Sequence, residues 1–476
     1  MTQGTTMLGL AFFVTCAAAQ TPGAQAVLRG VEALSPRFDK ISRQIWENPE
    51  LGWREYKSSA LLKEELRAAG FRITDNVASL PTAFTAEWGA GAPVIGIIGE
   101  YDALPGLSQI DLPEKQARVA GAPGHGCGHN LFGPASAMAA IAAKEQLVAR
   151  KLPGTIRFYG TPYEEGGAGK VYMIRAGAFK DTSAVLAWHP WDGNMADDNS
   201  WLANVRADVR FKGSAAHAAG APDAGRSALD AVELMTHAVN MMREHVPQET
   251  RMHYIITNGG AAANIVPDAA ALSIIVRHPD LKTLEGLWER VMNCAQAGAL
   301  ATGTTVEIEI AAGYANFVTN SVLRDLLDRN LKITGGVNYT PEESAFAERV
   351  RSSVGAGTLP PLDAGSKVQA PRTTLSSVST DVGDVSWVTP TGHMLAATFP
   401  PGVPLHSWQS TACAGTTIGR KGMMVAAKTL ALSAVELFQN PELVKQARAT
   451  FDTKMAGQKY RSLIPEGKRP ALPAAQ

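Results

Sequence analysis

Short, strongly apolar runs alternate with amphipathic stretches along the first two hundred residues. Leu61, Leu62, Leu66 and Ala69 recur at a helical period and Gly70 ends it, which predicts helices between Pro36 and Gly70. Val94 to Ile98, Thr155 to Tyr159 and Ala184 to Trp188 are continuous apolar runs of strand length. Between the first two lies an Ala-rich helical pattern, Ala135 to Arg150. Strand, helix, strand order predicts an α/β fold with a mixed, largely parallel sheet flanked by helices. In such sheets function gathers beyond the carboxyl ends of the strands. Polar, ionisable residues stand at all three ends: Glu100 and Asp102, Glu164 and Glu165, and His189 one residue past its strand.

A second pattern begins near Trp201. Val205 to Lys212 alternates as a strand, Ser227 to Glu244 is an amphipathic helix, and His253 to Ile256 and Ala271 to Arg277 read as strands. Leu281 to Leu300 is a helix and Thr305 to Ile310 a strand. The order β-α-β-β-α-β is that of an inserted ferredoxin-like domain. The division expected is 24–200 and 314–462 for the two parts of the larger domain, 201–313 for the insert, and 463–476 for a flexible tail. Gly355 to Ala370 reads as a loop, Gly419 to Phe438 as the final helix, and the tail as frayed from Ile464.

Composition narrows the function classes. Lys+Arg and Asp+Glu are both 44, so no single-sign field exists to recruit nucleic acid or an anionic membrane. At 45% hydrophobic and 18% charged the chain is globular, with no later apolar run long enough to span a bilayer. Met7 to Ala19 is apolar and ends in Ala17-Ala18-Ala19, which predicts a signal peptide over 1–19 and export to a periplasm, although no Lys or Arg precedes it. The alternative is a short buried helix in a cytoplasmic protein. Cys16, Cys127, Cys294 and Cys413 are too widely spaced for a disulfide framework.

The densest chemistry is Gly124-His125-Gly126-Cys127-Gly128-His129-Asn130, where glycines allow a thiol and imidazoles to converge. Cys127 and His129 are good donors for zinc- or manganese-like ions. In Glu164-Glu165 one carboxylate can bind metal while the other serves as a base. His189 and the distant His406 complete a set able to hold two divalent ions. Taken singly each has a plainer reading: a turn with a buried thiol, a solvated acidic turn, a structural histidine.

These motifs, together with GEYDALPG from Gly99, PYEEGGAGK from Pro162, FKGSAAHAAGAPDAGRSALDA from Phe211, ANIVPD from Ala263, STDVGDVSW from Ser379 and PLHSWQ from Pro404, resemble the co-catalytic metallopeptidase family of aminoacylases, glutamate-releasing carboxypeptidases and auxin-conjugate amidohydrolases. The branch most similar is that of the p-aminobenzoyl-glutamate hydrolases. The resemblance spans Pro36 to Phe438. It implies Cys127, His129, Glu165, His189 and His406 as ligands of two Zn2+ or Mn2+ ions, and Glu164 as general base. It implies that His217, from the inserted lid and dimerisation domain, reaches the partner's site and binds the substrate carbonyl oxygen. Asn264 and Arg277 would hold the substrate carboxylate; read alone, Arg277 could equally pair with Asp280. Two places depart from the family pattern. Asn130 and Phe132 replace an Asp and a His, whose role is lost or passes to His125. Glu100 replaces a His, leaving Asp102 as a supporting group behind the ligands.

His237, His245, His253, His278 and His393 read as surface or structural imidazoles. Ser379-Thr380-Asp381 and Asp384-Ser386-Trp387 read as a pocket wall, with Trp387 stacking on an aryl group or lying in the core. The function expected is a metal-dependent amidohydrolase of N-acyl or N-aroyl amino acids, p-aminobenzoyl-glutamate-like, acting as a homodimer or as a heterodimer with a related chain. The alternatives are a dipeptidase or carboxypeptidase on free peptides, and a non-catalytic binding homologue.

Overall fold

The computed structural model describes residues 21–355 and 357–473. The expected signal peptide over 1–19 lies outside the described residues. Two helices lead in, α1 (Pro22–Glu47) and α2 (Tyr56–Ala68). They are followed by β1 (Arg72–Asp75), β2 (Phe84–Ala90), β3 (Val94–Gly99), α3 (His129–Arg150), β4 (Gly154–Gly160), α4 (Gly169–Arg175), β5 (Ala184–Trp191) and β6 (Met195–Asp197). The insert contributes β7 (Ala203–Lys212), α5 (Ala228–Met242), β8 (Arg251–Asn258), β9 (Ala269–His278), α6 (Leu281–Thr302) and β10 (Thr305–Tyr314). The chain then returns through α7 (Ser321–Thr334), α8 (Pro341–Ser352), α9 (Val382–Ser386), β11 (Thr391–Ala397), α10 (Trp408–Ala414), α11 (Thr417–Gln439) and α12 (Pro441–Met455).

Among the described residues the larger sheet has seven strands in the order β1-β2-β4-β3-β5-β11-β6. Its centre is parallel: β3 pairs with β4 and β5, and β5 pairs with β11. The outer strands β2 and β6 pair antiparallel with their inner neighbours. All six residues of β3 are buried, which is why it reads as an unbroken apolar run rather than an alternating one. The parallel core brings the carboxyl ends of β3, β4, β5 and β11 to one edge.

The smaller sheet is antiparallel throughout, in the order β10-β7-β9-β8. Val205, Ala207, Val209 and Phe211 of β7 and Leu272, Ile274 and Val276 of β9 form one core with Val232 and Met235 of α5 and Leu284 and Trp288 of α6. Strand alternation then puts Asn204, Arg206, Asp208 and Arg210 on the opposite face. Ser227 caps α5 and Asp280 caps α6, each accepting a backbone N–H three residues on.

Three elements differ from the sequence reading. The first helix begins at Pro22 rather than Pro36, capped by Thr21 with Pro22 in its first turn, and its buried stripe (Val27, Val31, Phe38, Ile41, Ile45) runs past Pro36. A further helix, α12, follows α11; it buries only Ala447 and Phe451, too thin a stripe to stand out as a pattern. The tail expected to fray from Ile464 is anchored at its start: Ile464 is buried and its carbonyl accepts from Arg175.

Helix α3 lies close over β3. A Cβ on Gly133 would stand 2.8 Å from the Glu100 carbonyl oxygen and 2.9 Å from Leu62 Cδ1. Alanine is the better helix former by about 1 kcal/mol, yet overpacking of this kind costs about 1–3 kcal/mol. Gly133→Ala is therefore expected to lower the urea midpoint; an unchanged or raised midpoint would show that α3 can back away from β3 without cost.

Candidate metal centre and substrate cavity

The loop before α3 folds on glycine. Gly124 lies so close to Leu107 that a Cβ would meet its carbonyl oxygen at 2.0 Å, and Gly128 has φ +79°, a conformation that favours a residue without a side chain. The turn delivers His129 as the first residue of α3, six residues earlier than the helix pattern predicted. Its ring is fully buried between two carboxylates: Nδ1 lies 3.0 Å from Asp102 Oδ1 and Nε2 lies 3.1 Å from Glu100 Oε2. Asp102 also accepts the backbone N–H of Glu165 at 3.0 Å through Oδ2. One carboxylate thus ties the end of β3 to the start of α3 and to the loop after β4.

The remaining groups arrive from other strand ends. His189 sits inside β5 rather than past it, because the strand continues to Trp191 on β11. Its Nδ1 lies 2.7 Å from the Pro190 carbonyl, which leaves Nε2 3.3 Å from Cys127 Sγ. His406 precedes α10 with φ +56°, its N–H donating to Gly126 O at 3.1 Å, and its Nε2 lies 3.5 Å from Glu165 Oε2. Three triads have donor atoms within 4.8 Å of one another: Cys127, His129 and His189; Cys127, Glu165 and His406; Glu100, His129 and Glu164.

The donor set fits cations. Glu100, Asp102, Glu164 and Asp381 are buried beside one buried ammonium, that of Lys170. Burial, then Glu100 and Glu165, raise Glu164 well above the usual carboxylate range. Burial pushes Glu165 up to about 7 against the pull of His129. Burial and Glu165 raise the Cys127 thiol, while burial and His129 push His189 well down. Glu165 Oε1 is buried without a hydrogen-bond partner. An acidic, mixed N/O/S cluster of this kind is what a borderline divalent ion stabilises. The three described cysteines are unpaired, so Cys127 is a thiol and not half of a disulfide.

Lys170 escaped the sequence reading, although it closes the PYEEGGAGK motif. Its Nζ lies 2.7 Å from Glu100 Oε1 and 2.6 Å from Asp381 Oδ1, and its backbone N–H donates to Asp381 Oδ2 at 3.0 Å. Asp381 is accordingly no part of a pocket wall. His125 is buried beside the cluster, held near pKa 3 by burial and by His129, and belongs to none of the triads.

Cys127, Glu164, Glu165, His189 and His406 line one side of a cavity of about 610 Å³, and Arg277 lines another. His129 and Asp102 stand behind this wall. Tyr314, at the end of β10, donates its hydroxyl to the Glu164 carbonyl oxygen at 3.0 Å and so ties the small sheet to the site. Ser379 and Thr380 line the cavity. Trp387 and Asp384 do not: Trp387 packs in the core of the small sheet with Nε1 donating to Asn316 O, and Asp384 accepts from Ala315 N–H and the Tyr460 hydroxyl. The aromatic walls are instead Trp191 and Trp201. His393, expected to be structural or on the surface, also lines the cavity, 3.3 Å from Asp197 Oδ2 and edge-on to Trp201 at 4.7 Å. Arg206 and Arg372 are further lining residues that no motif marked. His217 and Asn264 lie together in exposed loops of the insert, Ala218 N–H donating to Asn264 O at 3.0 Å, and neither lines this cavity. Asp280 caps α6 and makes no ion pair with Arg277.

Comparison with known proteins adds an independent line. A family model described as a peptidase dimerisation domain matches residues 203–302. A p-aminobenzoyl-glutamate hydrolase chain of Escherichia coli (strain K12) is 39% identical over 474 residues, covering 93% of this chain and 97% of that protein. The Xaa-Arg dipeptidase of Mus musculus is 32% identical over 444 residues, covering 89% and 91%. Among solved structures, a dinuclear metal-binding peptidase of the M20 family from Bacillus subtilis superimposes with TM-score 0.58 at 19% identity, covering 86% of this chain and 99% of that one.

Removing one partner of a buried ion pair strands the other charge, a loss of about 3–5 kcal/mol. Lys170→Met is expected to lower the urea midpoint accordingly, and adding Asp381→Asn to recover part of the loss. A Lys170→Met protein as stable as the parent would show that Glu100 and Asp381 do not depend on the ammonium.

Proposed function

The chain belongs to the M20 family of metallopeptidases and amidohydrolases, and on that premise we propose that it cleaves the amide bond of N-acyl or N-aroyl amino acids, with p-aminobenzoyl-glutamate-like compounds as the substrate class. One observation carries the reading: Cys127, Glu165, His189 and His406, from two triads that share Cys127, line the same cavity as Glu164, with His129 of the first triad behind them. Cys127, His129 and His189 would hold one divalent ion, and Cys127, Glu165 and His406 the other. The thiolate, imidazole and carboxylate set suits zinc and accommodates manganese. When bound, the two cations supply Lewis acidity, making water far more acidic and polarising the amide carbonyl.

The protein's own groups supply the rest. Asp102 holds the His129 ring by Nδ1, leaving Nε2 for a metal. Glu164 takes the proton from the attacking water and returns it to the leaving amine nitrogen, whose departure as an anion is prohibitive. Arg277, half-buried and without an ion-pair partner among the described residues, receives the substrate carboxylate. Trp191 and Trp201 provide apolar surface for an acyl or aryl group.

His217 and Asn264 act across a dimer in this reading. They are exposed and outside their own chain's cavity, so they reach a substrate only in a second protomer. The edge strand β8 supports such an assembly, since Ile255 and Ile256 are 66% and 47% exposed beside an unpaired edge. The partner is a second copy or a related chain; a different p-aminobenzoyl-glutamate hydrolase chain of Escherichia coli (strain K12) is itself 24% identical to this one over 329 residues. Export rests on residues 1–19 alone; among the described residues no helix is long and apolar enough to cross a membrane.

Glu164→Gln tests the assignment. Turnover of N-benzoyl amino acids should fall by about 10²–10⁴, with metal content by plasma mass spectrometry unchanged. Near-parental turnover in the variant would remove Glu164 from the mechanism.

A further inference from the structure

Glu55, in the loop between α1 and α2, is a fully buried carboxyl that neither lines the cavity nor forms an ion pair among the described residues. Glu100 and Asp381, also buried, share the ammonium of Lys170. The partners of Glu55 in other segments are neutral. Its Oε2 accepts from the Thr82 hydroxyl at 2.8 Å, and its Oε1 from the Tyr163 backbone N–H at 2.9 Å. A buried acid without a cation is costly. Burial, then Asp102, push this one up to about 8, so at neutral pH it is held mainly as the neutral acid.

Tyr163 immediately precedes Glu164, and its φ of +49° is a backbone conformation that residues with a side chain rarely adopt. The neighbours are shaped around its ring. A Cβ on Gly52 would stand 1.9 Å from Tyr163 Cγ, and one on Gly167 2.2 Å from Cδ1. Trp53 meets the ring edge-on, with centroids 5.1 Å apart. The loop that supplies Gly52, Trp53 and Glu55 is itself fixed to the end of β3, since the Ala103 N–H donates to Glu50 O at 2.8 Å. Four backbone groups of Tyr163, Glu164 and Glu165 are then held from four places. The Tyr163 N–H donates to Glu55, and Tyr163 O accepts from the Gly167 N–H at 3.1 Å. Glu164 O accepts from the Tyr314 hydroxyl at 3.0 Å, and the Glu165 N–H donates to Asp102 at 3.0 Å. Of these holds, that of Glu55 acts on the strained residue itself, on the peptide N–H just before the Tyr163 Cα.

Resting on the assignment of Glu164 as the base, we propose that Glu55 is a positioning residue for the reaction: by holding the Tyr163 N–H it keeps the turn in the left-handed conformation that aims Glu164 into the cavity. Without that acceptor Tyr163 relaxes toward negative φ, and the Glu164 carboxylate swings out of reach of the proton it must take. Glu165, tied to Asp102 through its own N–H, stays with Cys127 and His406. What Glu55 contributes is a hydrogen-bond acceptor at a fixed place and not a charge. An amide of the same shape therefore serves in its stead, and an apolar side chain of the same length does not.

Glu55→Met and Glu55→Gln separate this role from one in stability alone. The metal-loaded variants are assayed with N-benzoylglycine and N-benzoyl-L-glutamate, and hydrogen–deuterium exchange of residues 162–168 is followed by mass spectrometry. Glu55→Met should lower kcat by about 10²-fold, the effect of displacing a catalytic group by about 1 Å. KM and metal content should stay close to parental, and exchange in 162–168 should speed up. Glu55→Gln, which keeps an oxygen for the Tyr163 N–H, should return most of the kcat and the slow exchange. If the methionine chain does not fold, Glu55→Asp, one carbon too short to reach Tyr163, takes its place with the same expectation. A parental kcat in the variant without the acceptor, or a glutamine variant as slow as the methionine one, overturns the proposal. So does a fall in kcat that only follows lost metal or lost folded protein. Absence of hydrolysis by the unsubstituted, metal-loaded protein counts instead against the amidohydrolase reading, and the exchange rates then decide whether Glu55 holds the turn.

Discussion

The contacts of Asp102 are the joint on which the site depends. A single buried carboxylate accepts from His129 at the start of α3 and from the Glu165 backbone after β4, while itself following β3. Three segments, the outermost 63 residues apart in the chain, are held to hydrogen-bond precision by two oxygens. Against the effect of burial, His129 keeps Asp102 below the ordinary carboxylate range, so it stays an acceptor. Groups that must meet at one point cannot be aligned by apolar packing alone, which is non-directional.

Around that joint the protein tolerates an unusual density of buried charge. Lys170 bridges Glu100 and Asp381, and Glu100 also faces His129. Uncompensated, these acids would be costly. A cation-binding cluster and a lysine clasp are two answers to the same electrostatic problem, placed side by side. Glu100 belongs to both, as a member of one triad and as the lysine's partner.

The inserted domain works as more than a spacer. Its helices cover one face of its sheet, and strand alternation forces polar residues onto the other. The end of that polar face closes over the strand ends of the larger sheet, stitched by Tyr314 to Glu164. Arg206 and Arg277 of the insert thereby line the same cavity as Glu164, Glu165, His189 and His406 of the larger domain. The loops bearing His217 and Asn264 lie outside this cavity.

Much of this was legible in the chain itself. The apolar runs of β3, β4 and β5, the β-α-β-β-α-β order, and the local clusters at Cys127, Glu164 and His406 are written in short-range patterns, because helix and strand periods and glycine turns are local properties. Helix α12 was not, since its buried stripe is only Ala447 and Phe451. Nor were Lys170, His393, Arg206 and Arg372, which look like ordinary residues in their own segments. His393 gains its place from lying on β11 between β5 and β6, and Arg206 from which face of β7 meets the larger domain. The residue types on offer at each strand end could be read along the chain. Which of them share a cavity was settled by the packed fold, because that depends on pairings between segments separated by up to hundreds of residues, and no local period records those.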